Sequence, residues 1–243
     1  MPSSTDPEPL VRLIDVSVDI DGHAALRGAT LDVRPGRLLT VVGANGSGKS
    51  TLLSVIAGLQ APSSGRVERR ADARIAFVPQ TKTDGARLPL TVTDLVSMGR
   101  WRDRGPFRPL RRADRIRVAE AVDAVGLTAH AARPIGALSG GQRQRAFLGQ
   151  ALAQDADLLL LDEPMTGVDD DARRAAARAI ATVAAHGAGV IVVTHDLAEI
   201  SGADEVVTLV DGRVSERSSS AERAAGPSAA AWTVPGNAST VEG

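Results

Sequence analysis

Eight residues in the first quarter of the chain combine glycines, a lysine and a serine at a spacing suited to binding phosphate. Residues 43–50 read GANGSGKS and fit the pattern G-x-x-x-x-G-K-[ST]. The glycines allow backbone N–H groups to surround phosphate oxygens, and a following helix N-terminus adds positive potential. In such a loop the lysine neutralises β- and γ-phosphates and the serine ligates Mg²⁺. The segment predicts a nucleotide site at Gly43, Ala44, Asn45, Gly46, Ser47, Gly48, Lys49 and Ser50.

Two carboxylates follow an apolar run later in the chain. Residues 158–161 are four leucines, and Asp162 and Glu163 come directly after them. A buried strand of this kind delivers its last residues to the edge of an α/β sheet where ligands bind. Asp162 is expected to hold Mg²⁺, and Glu163 to polarise the attacking water. Taken alone, the pattern is equally typical of a strand that meets its turn.

A third motif, LSGGQ at residues 138–142, predicts a second anion site. Ser139 is a good N-cap, and Gly140 and Gly141 expose backbone donors at the start of a helix. One nucleotide does not need two phosphate sites in one chain. The pattern therefore favours two chains arranged head to tail, each closing on the nucleotide of the other.

The surrounding sequence predicts an α/β fold with a largely parallel sheet, because strands and helices alternate. A helical stretch at about 85–155 interrupts that alternation and predicts an inserted subdomain. Residues 1–9 are expected to be flexible, 10–217 to form the nucleotide-binding domain, and 218–243 to be a Ser/Ala-rich tail. Strands are predicted at 10–20, 29–33, 38–43, 74–80, 158–162, 189–196 and 205–214, and helices from Gly48 and over 170–187.

Composition excludes several classes of protein. The net charge of −1 argues against a protein-wide basic field for nucleic acid, and the absence of cysteine excludes disulfides and thiolate chemistry. No apolar run reaches the ~18 residues of a membrane span. Only a local basic segment, residues 100–112 with six arginines, Trp101 and Phe107, has the pattern of a nucleic-acid strip. His23, His130 and His186 fall on no motif and are expected to be surface or capping residues.

Together the three motifs resemble the ATP-binding subunits of ABC transporters over roughly residues 10–215. GANGSGKST, which adds Thr51, looks like the Walker A motif, LLLLDEP like Walker B, and LSGGQ like the family signature. By this resemblance Gln80 is the Q-loop glutamine near Mg²⁺ and the water. Asp169 is the D-loop aspartate at the dimer interface, and His195 is the switch histidine on the γ-phosphate.

The resemblance implies a P-loop NTPase core with an N-terminal antiparallel β part and an inserted helical subdomain. It implies an ATPase with ATP and Mg²⁺, the ion being held by Ser50, Gln80 and Asp162. Ser139, Gly140, Gly141 and Gln142 would contact the partner's ATP in a head-to-tail dimer. Partners would be membrane permease subunits and, through them, a substrate-binding protein. The expected location is the inner face of the cytoplasmic membrane, and no nucleic-acid partner is expected.

The segments MGRWRDRGPFRPLRRADR and LLLLDEPMTGVDD are most similar to the ATPases of bacterial zinc and manganese importers, with the zinc type favoured. Iron-chelate importers remain an alternative. A different class, an ABC-type ATPase acting on nucleic acid, is disfavoured because only 90 residues separate Lys49 from Ser139, with no sustained heptads. The arginine segment is then expected to dock on the permease, with a solvated basic loop as the alternative.

One position departs from the family. Its members usually stack an aromatic ring on adenine near Ile20, whereas this chain has no tyrosine and places isoleucine there. An isoleucine contacts adenine but forfeits about 1 kcal/mol of stacking. Modest ATP affinity and weak base discrimination are therefore expected.

Overall fold

The computed structural model describes residues 7–80, 89–106, 108–165, 170–196 and 202–220, with residue 104 described by its backbone. Two sheets and six helices make up the described chain. The strands are β1 Val11–Ile20, β2 His23–Val33, β3 Leu38–Val42, β4 Ser64–Arg69, β5 Ile75–Val78, β6 Leu158–Asp162, β7 Gly189–Thr194, β8 Glu205–Val210 and β9 Arg213–Ser219. The helices are α1 Lys49–Ala57, α2 Val92–Ser97, α3 Trp101–Arg104, α4 Arg112–Ala124, α5 Gly140–Leu152 and α6 Asp170–Ala185.

The central sheet has the order β5-β6-β7-β3-β8-β9, and every pairing except β8–β9 is parallel. Its middle strands are buried on both faces. In β6, Leu159 and Leu161 pack toward α2, α4, α5 and α6, whereas Leu158 and Leu160 pack toward α1 and the second sheet. Successive strand residues point to opposite faces, so a continuous apolar run fills both cores.

The second sheet is antiparallel, with the order β2-β1-β4. Its apolar face, together with α1, covers one side of the central sheet. Helices α2, α4 and α5 pack on one another on the other side and form the inserted helical part. The parallel core, the antiparallel N-terminal part and the helical insertion are confirmed as predicted.

The predicted single strand at 205–214 is wrong. The chain reverses at Asp211 and Gly212, so β8 and β9 form an antiparallel hairpin. An Asp-Gly pair between two β-type segments is a strong hairpin signal. Strand β4 was also missed, because its sequence SGRVER carries one apolar residue and pairs only with β1.

Strand β9 ends at Ser219, two residues after the predicted end of the domain, and 221–243 lie outside the described residues. Of the arginine segment, Phe107 also lies outside them. Within the described part of the chain, no helix is long and apolar enough to cross a membrane.

Candidate functional site

The phosphate loop connects the end of β3 to the start of α1, as its sequence predicts. The β8–β9 hairpin and strand β2 both pack closely against it. Leu209, near the end of β8, directs its carbonyl oxygen at Gly43, where a Cβ would come within 2.3 Å of it. The backbone N–H of Gly212 donates to the Ser47 carbonyl at 3.0 Å. The β8–β9 hairpin therefore packs against the phosphate loop and restrains its backbone.

Gly48 shows why the last glycine of the loop is needed. Its φ is +102°, a region that L side chains rarely adopt, and a Cβ there would lie 2.3 Å from the carbonyl oxygen of Ala25 in β2. Both strain and collision exclude a side chain. The approach of β2 thus fixes the backbone just where α1 begins and its free N–H groups point into the loop.

Lys49 is held inside the loop that precedes it. Its Nζ donates to the carbonyl oxygens of Gly43 at 2.8 Å and Ala44 at 2.9 Å, and the residue is only 6% exposed. Burial lowers the pKa of Lys49, while the nearby carboxylates of Glu163 and Asp162 oppose that shift. The ammonium group is therefore pre-positioned at the mouth of the loop.

Asp162 is the last residue of β6 and is 5% exposed. Burial raises the pKa of Asp162, and the charge of Glu163 raises it further. A hydrogen bond from the Ser50 hydroxyl and the charge of Lys49 act in the opposite direction on that pKa. These contacts bring Ser50, Lys49 and Asp162 together at one edge of the sheet.

Gln80 and Glu163 meet because β5 and β6 are parallel and in register. Val78 pairs with Leu161, and Gln80 and Glu163 each lie two positions further along the chain. The Gln80 side-chain Nε2 donates to Glu163 Oε2 at 2.7 Å. Glu163 has a φ of +48°, and its N–H donates to the Val193 carbonyl at 2.9 Å. The non-glycine left-handed backbone turns Glu163 at the strand end.

His195 follows β7, the strand between β6 and β3. Val193 pairs with Asp162 and Thr194 pairs with Val42, so His195 lies at the same edge as the carboxylates and the loop. Its side chain is exposed. The mutual hydrogen bonding of Thr194 and Asp196 holds the turn around it.

The LSGGQ segment lies on a different part of the fold, at the start of α5. Ser139 caps the helix: its Oγ accepts from the Gln142 N–H at 3.2 Å, and its own N–H donates to Gln142 Oε1 at 3.0 Å. A Cβ on Gly140 would meet nothing within 4 Å. Among the described residues, the hydrogen bonds of this segment do not reach the phosphate loop. The predicted N-cap is present, and the segment faces outward.

Sequence reasoning missed one neighbour of this segment. His130 Nε2 lies 3.3 Å from Gln142 Nε2, although its sequence position belongs to no motif. No periodicity or spacing pattern could have identified this contact.

Ile20 ends β1, is 43% exposed, and pairs across the β1–β2 turn with His23. Asp169 lies outside the described residues.

The residues present fit a nucleotide and a divalent cation. Ser47 Oγ is buried inside the loop and has no hydrogen-bond partner among the described residues, and a Cβ on Gly43 would approach it to 2.6 Å. An acceptor or donor entering the loop would satisfy this atom. The oxygens of Ser50 and Asp162 are hard donors of the kind that Mg²⁺ prefers.

Residues 26–166 match the sequence family described as ABC transporter. The chain belongs to this family. It shares 39% identity over 216 residues with the chelated iron transport system membrane protein YfeB of Yersinia pestis, covering 86% of this chain and 73% of that one. With the manganese transport system ATP-binding protein MntA of Synechocystis sp., identity is 39% over 202 residues, covering 77% and 78%.

The zinc transport system ATP-binding protein TroB of Treponema pallidum is 41% identical over 196 residues, covering 76% of this chain and 72% of that one. Among solved structures, a metal-chelate type ABC transporter in an inward-facing conformation matches with a TM-score of 0.75 and 27% identity, covering 87% and 84%. The chain is thus an ATP-binding and ATP-hydrolysing ABC subunit. Proteins of this family work with membrane permease subunits and form dimers.

Replacing Gly48 by alanine is expected to destroy the phosphate loop. The added Cβ requires β2 to move away from the loop, so nucleotide binding should fall at least ~100-fold and the free energy of unfolding by more than ~2 kcal/mol. Gly187→Ala is the matched control: its φ is +99°, but a Cβ there meets nothing within 4 Å. It should cost only about 1 kcal/mol. Equal nucleotide affinity in both variants, measured by calorimetry, would contradict this account of the loop.

Proposed function

We propose that this chain is the ATPase subunit of an importer that moves a divalent metal ion, zinc or manganese, through a separate permease. The catalytic part of the proposal depends most on one observation. The Gln80–Glu163 contact, buried Asp162 and the Lys49 loop share one edge of a parallel sheet. The metal cargo is inferred from relatives named for zinc and manganese transport.

At this edge each side chain has a distinct proposed role. Lys49 would bind the terminal phosphates, with the loop residues around it and Thr51 supporting that contact. Ser50, Asp162 and Gln80 would hold Mg²⁺, which supplies charge neutralisation when bound. Glu163 would accept a proton from the attacking water, and its hydrogen bond from Gln80 orients it before substrate arrives. His195 would contact the γ-phosphate.

Adenine is the part of the nucleotide that this chain would hold least firmly. The proposed contact is the exposed side chain of Ile20 at the end of β1. Apolar contact without ring stacking supports modest ATP affinity and weak discrimination between bases.

The outward-facing start of α5 supports a head-to-tail dimer. Residues 139–142 present a capped helix N-terminus away from the chain's own phosphate loop. Ser139, Gly140, Gly141 and Gln142 would contact the ATP held by the partner, and Asp169 would contribute across the interface. ATP binding would then close the dimer, and hydrolysis assisted by Glu163 would reopen it.

A groove beside Gln80 is the proposed docking place for the permease. Its volume is about 370 Å³, and its lining combines apolar with amide side chains: Phe77, Val78, Pro79, Gln80, Phe147, Gln150, Ala151 and Gln154. The 3₁₀ turn Met98–Arg100 lies directly against it, because a Cβ on Gly99 would fall 2.3 Å from the Gln150 carbonyl.

Arg100 ties the arginine segment to this groove. Its guanidinium is buried and donates to Asp114 and to the Ala153 carbonyl, at 3.2 and 3.0 Å. Trp101, 41% exposed, and Arg102 follow at the surface. The buried Arg100 holds the exposed aromatic and cationic side chains of Trp101 and Arg102 in place, and such a surface suits contact with a membrane protein. This supports a location on the inner face of the cytoplasmic membrane. A substrate-binding protein would act through that permease.

One alternative cargo has support of its own. YfeB is named for chelated iron, and the solved metal-chelate type transporter is also similar. An iron-chelate importer ATPase is therefore the second candidate.

The cargo can be identified in the assembled transporter. The chain is co-purified with its permease, placed in vesicles, and supplied with the binding protein loaded with Zn²⁺, Mn²⁺ or a ferric chelate. We expect Zn²⁺ or Mn²⁺ to raise ATP hydrolysis several-fold over the unloaded binding protein. Stimulation by the ferric chelate alone would favour the second candidate, and no response to any of the three would reject metal import.

Glu163→Gln tests the assignment of the general base. Hydrolysis should fall at least ~100-fold because the amide cannot accept the proton, while ATP binding persists. Addition of ATP and Mg²⁺ should then convert monomer to a stable dimer, measured by light scattering. Glu120→Gln, an exposed change on α4, is the control. A variant that stays monomeric with ATP and hydrolyses it at the wild-type rate would show that Glu163 has another role.

Docking is tested with the double variant Trp101→Ala, Arg102→Glu. Loss of the apolar and cationic rim should abolish co-purification with the permease and transport into vesicles. Hydrolysis by the isolated subunit should stay within about twofold, because exposed side chains contribute little to folding. Arg178→Glu, an exposed change on α6, is the matched charge control. Transport equal to that of the control would count against this docking surface.

A further inference from the structure

The Gln142 carboxamide lies between the cap of α5 and the ring of His130. Its Oε1 accepts the Ser139 N–H at 3.0 Å, and its Nε2 lies 3.3 Å from His130 Nε2. The side chain therefore uses both ends of its amide. One end closes the capping box with Ser139, and the other reaches a residue that lies 12 positions earlier in the chain.

This arrangement determines how the imidazole must act. The capping bond fixes Oε1 as the acceptor, so the NH₂ group of Gln142 faces the ring. His130 Nε2 must then be the unprotonated nitrogen, which accepts that hydrogen bond, and Nδ1 carries the ring proton. Arg133 Nη1, 3.4 Å from Nδ1, cannot also donate to the ring in this tautomer. A single acceptor atom therefore holds the Gln142 amide.

His130 is itself held by the fold, so that it can act as a fixed support. It ends the 3₁₀ turn Thr128–His130, and its N–H donates to the carbonyl of fully buried Leu127 at 2.8 Å. The Thr128 hydroxyl donates to Asp123 of α4 at 2.8 Å. The ring is half-buried. These contacts connect the α5 cap to α4 through His130.

Two arginines hold the backbone that directly precedes Ser139. Arg143 donates to the Leu138 carbonyl at 3.1 Å, and Arg133 donates to the Ala137 carbonyl at 3.4 Å. The backbone leading into the cap is thus restrained. Among the described residues, His130 is the side chain outside the helix cap that contacts the Gln142 amide.

We propose that His130 is a positioning residue for residues 139–142, acting through Gln142. This inference rests on the proposed function, in which those residues contact the partner's ATP. With its NH₂ held by His130, the Gln142 side chain stays in the capping geometry, and Ser139 and the free N–H groups of α5 stay aimed outward. His130 therefore affects assembly of the dimer site. It does not affect nucleotide binding by the phosphate loop of the same chain.

Removing the ring acceptor should therefore weaken ATP-driven dimerisation. Loss of one hydrogen bond corresponds to about fivefold in an equilibrium constant. His130→Leu removes every acceptor. His130→Gln places an amide oxygen near the former Nε2, and His130→Asn places its polar atoms only near the former Nδ1. The Gln and Asn variants are thus a matched pair that differs in the position of the acceptor.

The experiment uses the full chain in the Glu163→Gln background, so that ATP is bound and not consumed. Dimer formation is followed by light scattering as ATP with Mg²⁺ is added. Nucleotide affinity of the monomer is measured separately with a fluorescent ATP analogue at protein concentrations too low for dimerisation. His186→Leu, which removes the histidine that directly follows α6, is the control for loss of an imidazole. Thermal unfolding checks that each variant is folded.

We expect the ATP concentration for half-maximal dimerisation to rise about fivefold in the Leu and Asn variants and to return to the parent value in the Gln variant. Monomer affinity should not change. An equal defect in the Gln variant would overturn the inference, because the acceptor would then be irrelevant. A parallel loss of monomer affinity would also overturn it, since His130 would then act on its own loop.

Ser139→Phe separates this inference from the function on which it rests. A bulky ring at the cap should block closure on the partner's ATP altogether. If Ser139→Phe abolishes dimerisation and His130→Leu leaves it unchanged, the role of His130 is rejected while the proposed function stands. If Ser139→Phe dimerises like the parent, the proposed function of this segment fails, and the inference fails with it.

Discussion

The whole site depends on a parallel sheet that is buried on both faces. Strands β3, β6 and β7 leave no place for an ionised side chain along their length, because one face packs on helices and the other on α1 and the antiparallel sheet. Charged groups are tolerated only where the strands end. Since the strands are parallel, these ends share one edge, and the pairing of Val78 with Leu161 sets Gln80 against Glu163. The Gln80–Glu163 contact is thus a consequence of strand register.

The antiparallel elements matter to the site because they shape the phosphate loop. The carbonyl of Ala25 in β2 and that of Leu209 in β8 approach Gly48 and Gly43 closely enough to exclude any side chain. The loop therefore owes its conformation to long-range packing as much as to its own glycines. Lys49 then satisfies two loop carbonyls, which holds its ammonium group in place before any nucleotide arrives.

Local patterns were enough to predict the core strands and the starts of α1, α5 and α6, because continuous apolar runs and capping sequences are short-range signals. Strand β4 could not be predicted in this way: SGRVER is polar, and only pairing with β1 makes it a strand. The site was predicted as a set of residue types, but not as distances, because the Gln80–Glu163 contact spans 83 positions. The contact of His130 with Gln142 depends on how a 3₁₀ turn meets a helix cap and on a tautomer, neither of which leaves a pattern in sequence.

The pKa shifts at the loop indicate why a nucleotide and a cation would suit this site together. Burial raises the pKa of Asp162 and lowers the pKa of Lys49, so the charged form of each group is less favoured than in water. Their mutual attraction offsets this only in part, and the charge of Glu163 raises both pKa values, which favours the charged form of Lys49 but opposes that of Asp162. A polyphosphate brings negative charge to Lys49, and a divalent cation brings positive charge to Asp162. The phosphate would offset the cost of burying the charge of Lys49, and the cation would offset that of Asp162. Because a cation would need the deprotonated carboxylate, its affinity should fall as the pH drops through the raised pKa of Asp162.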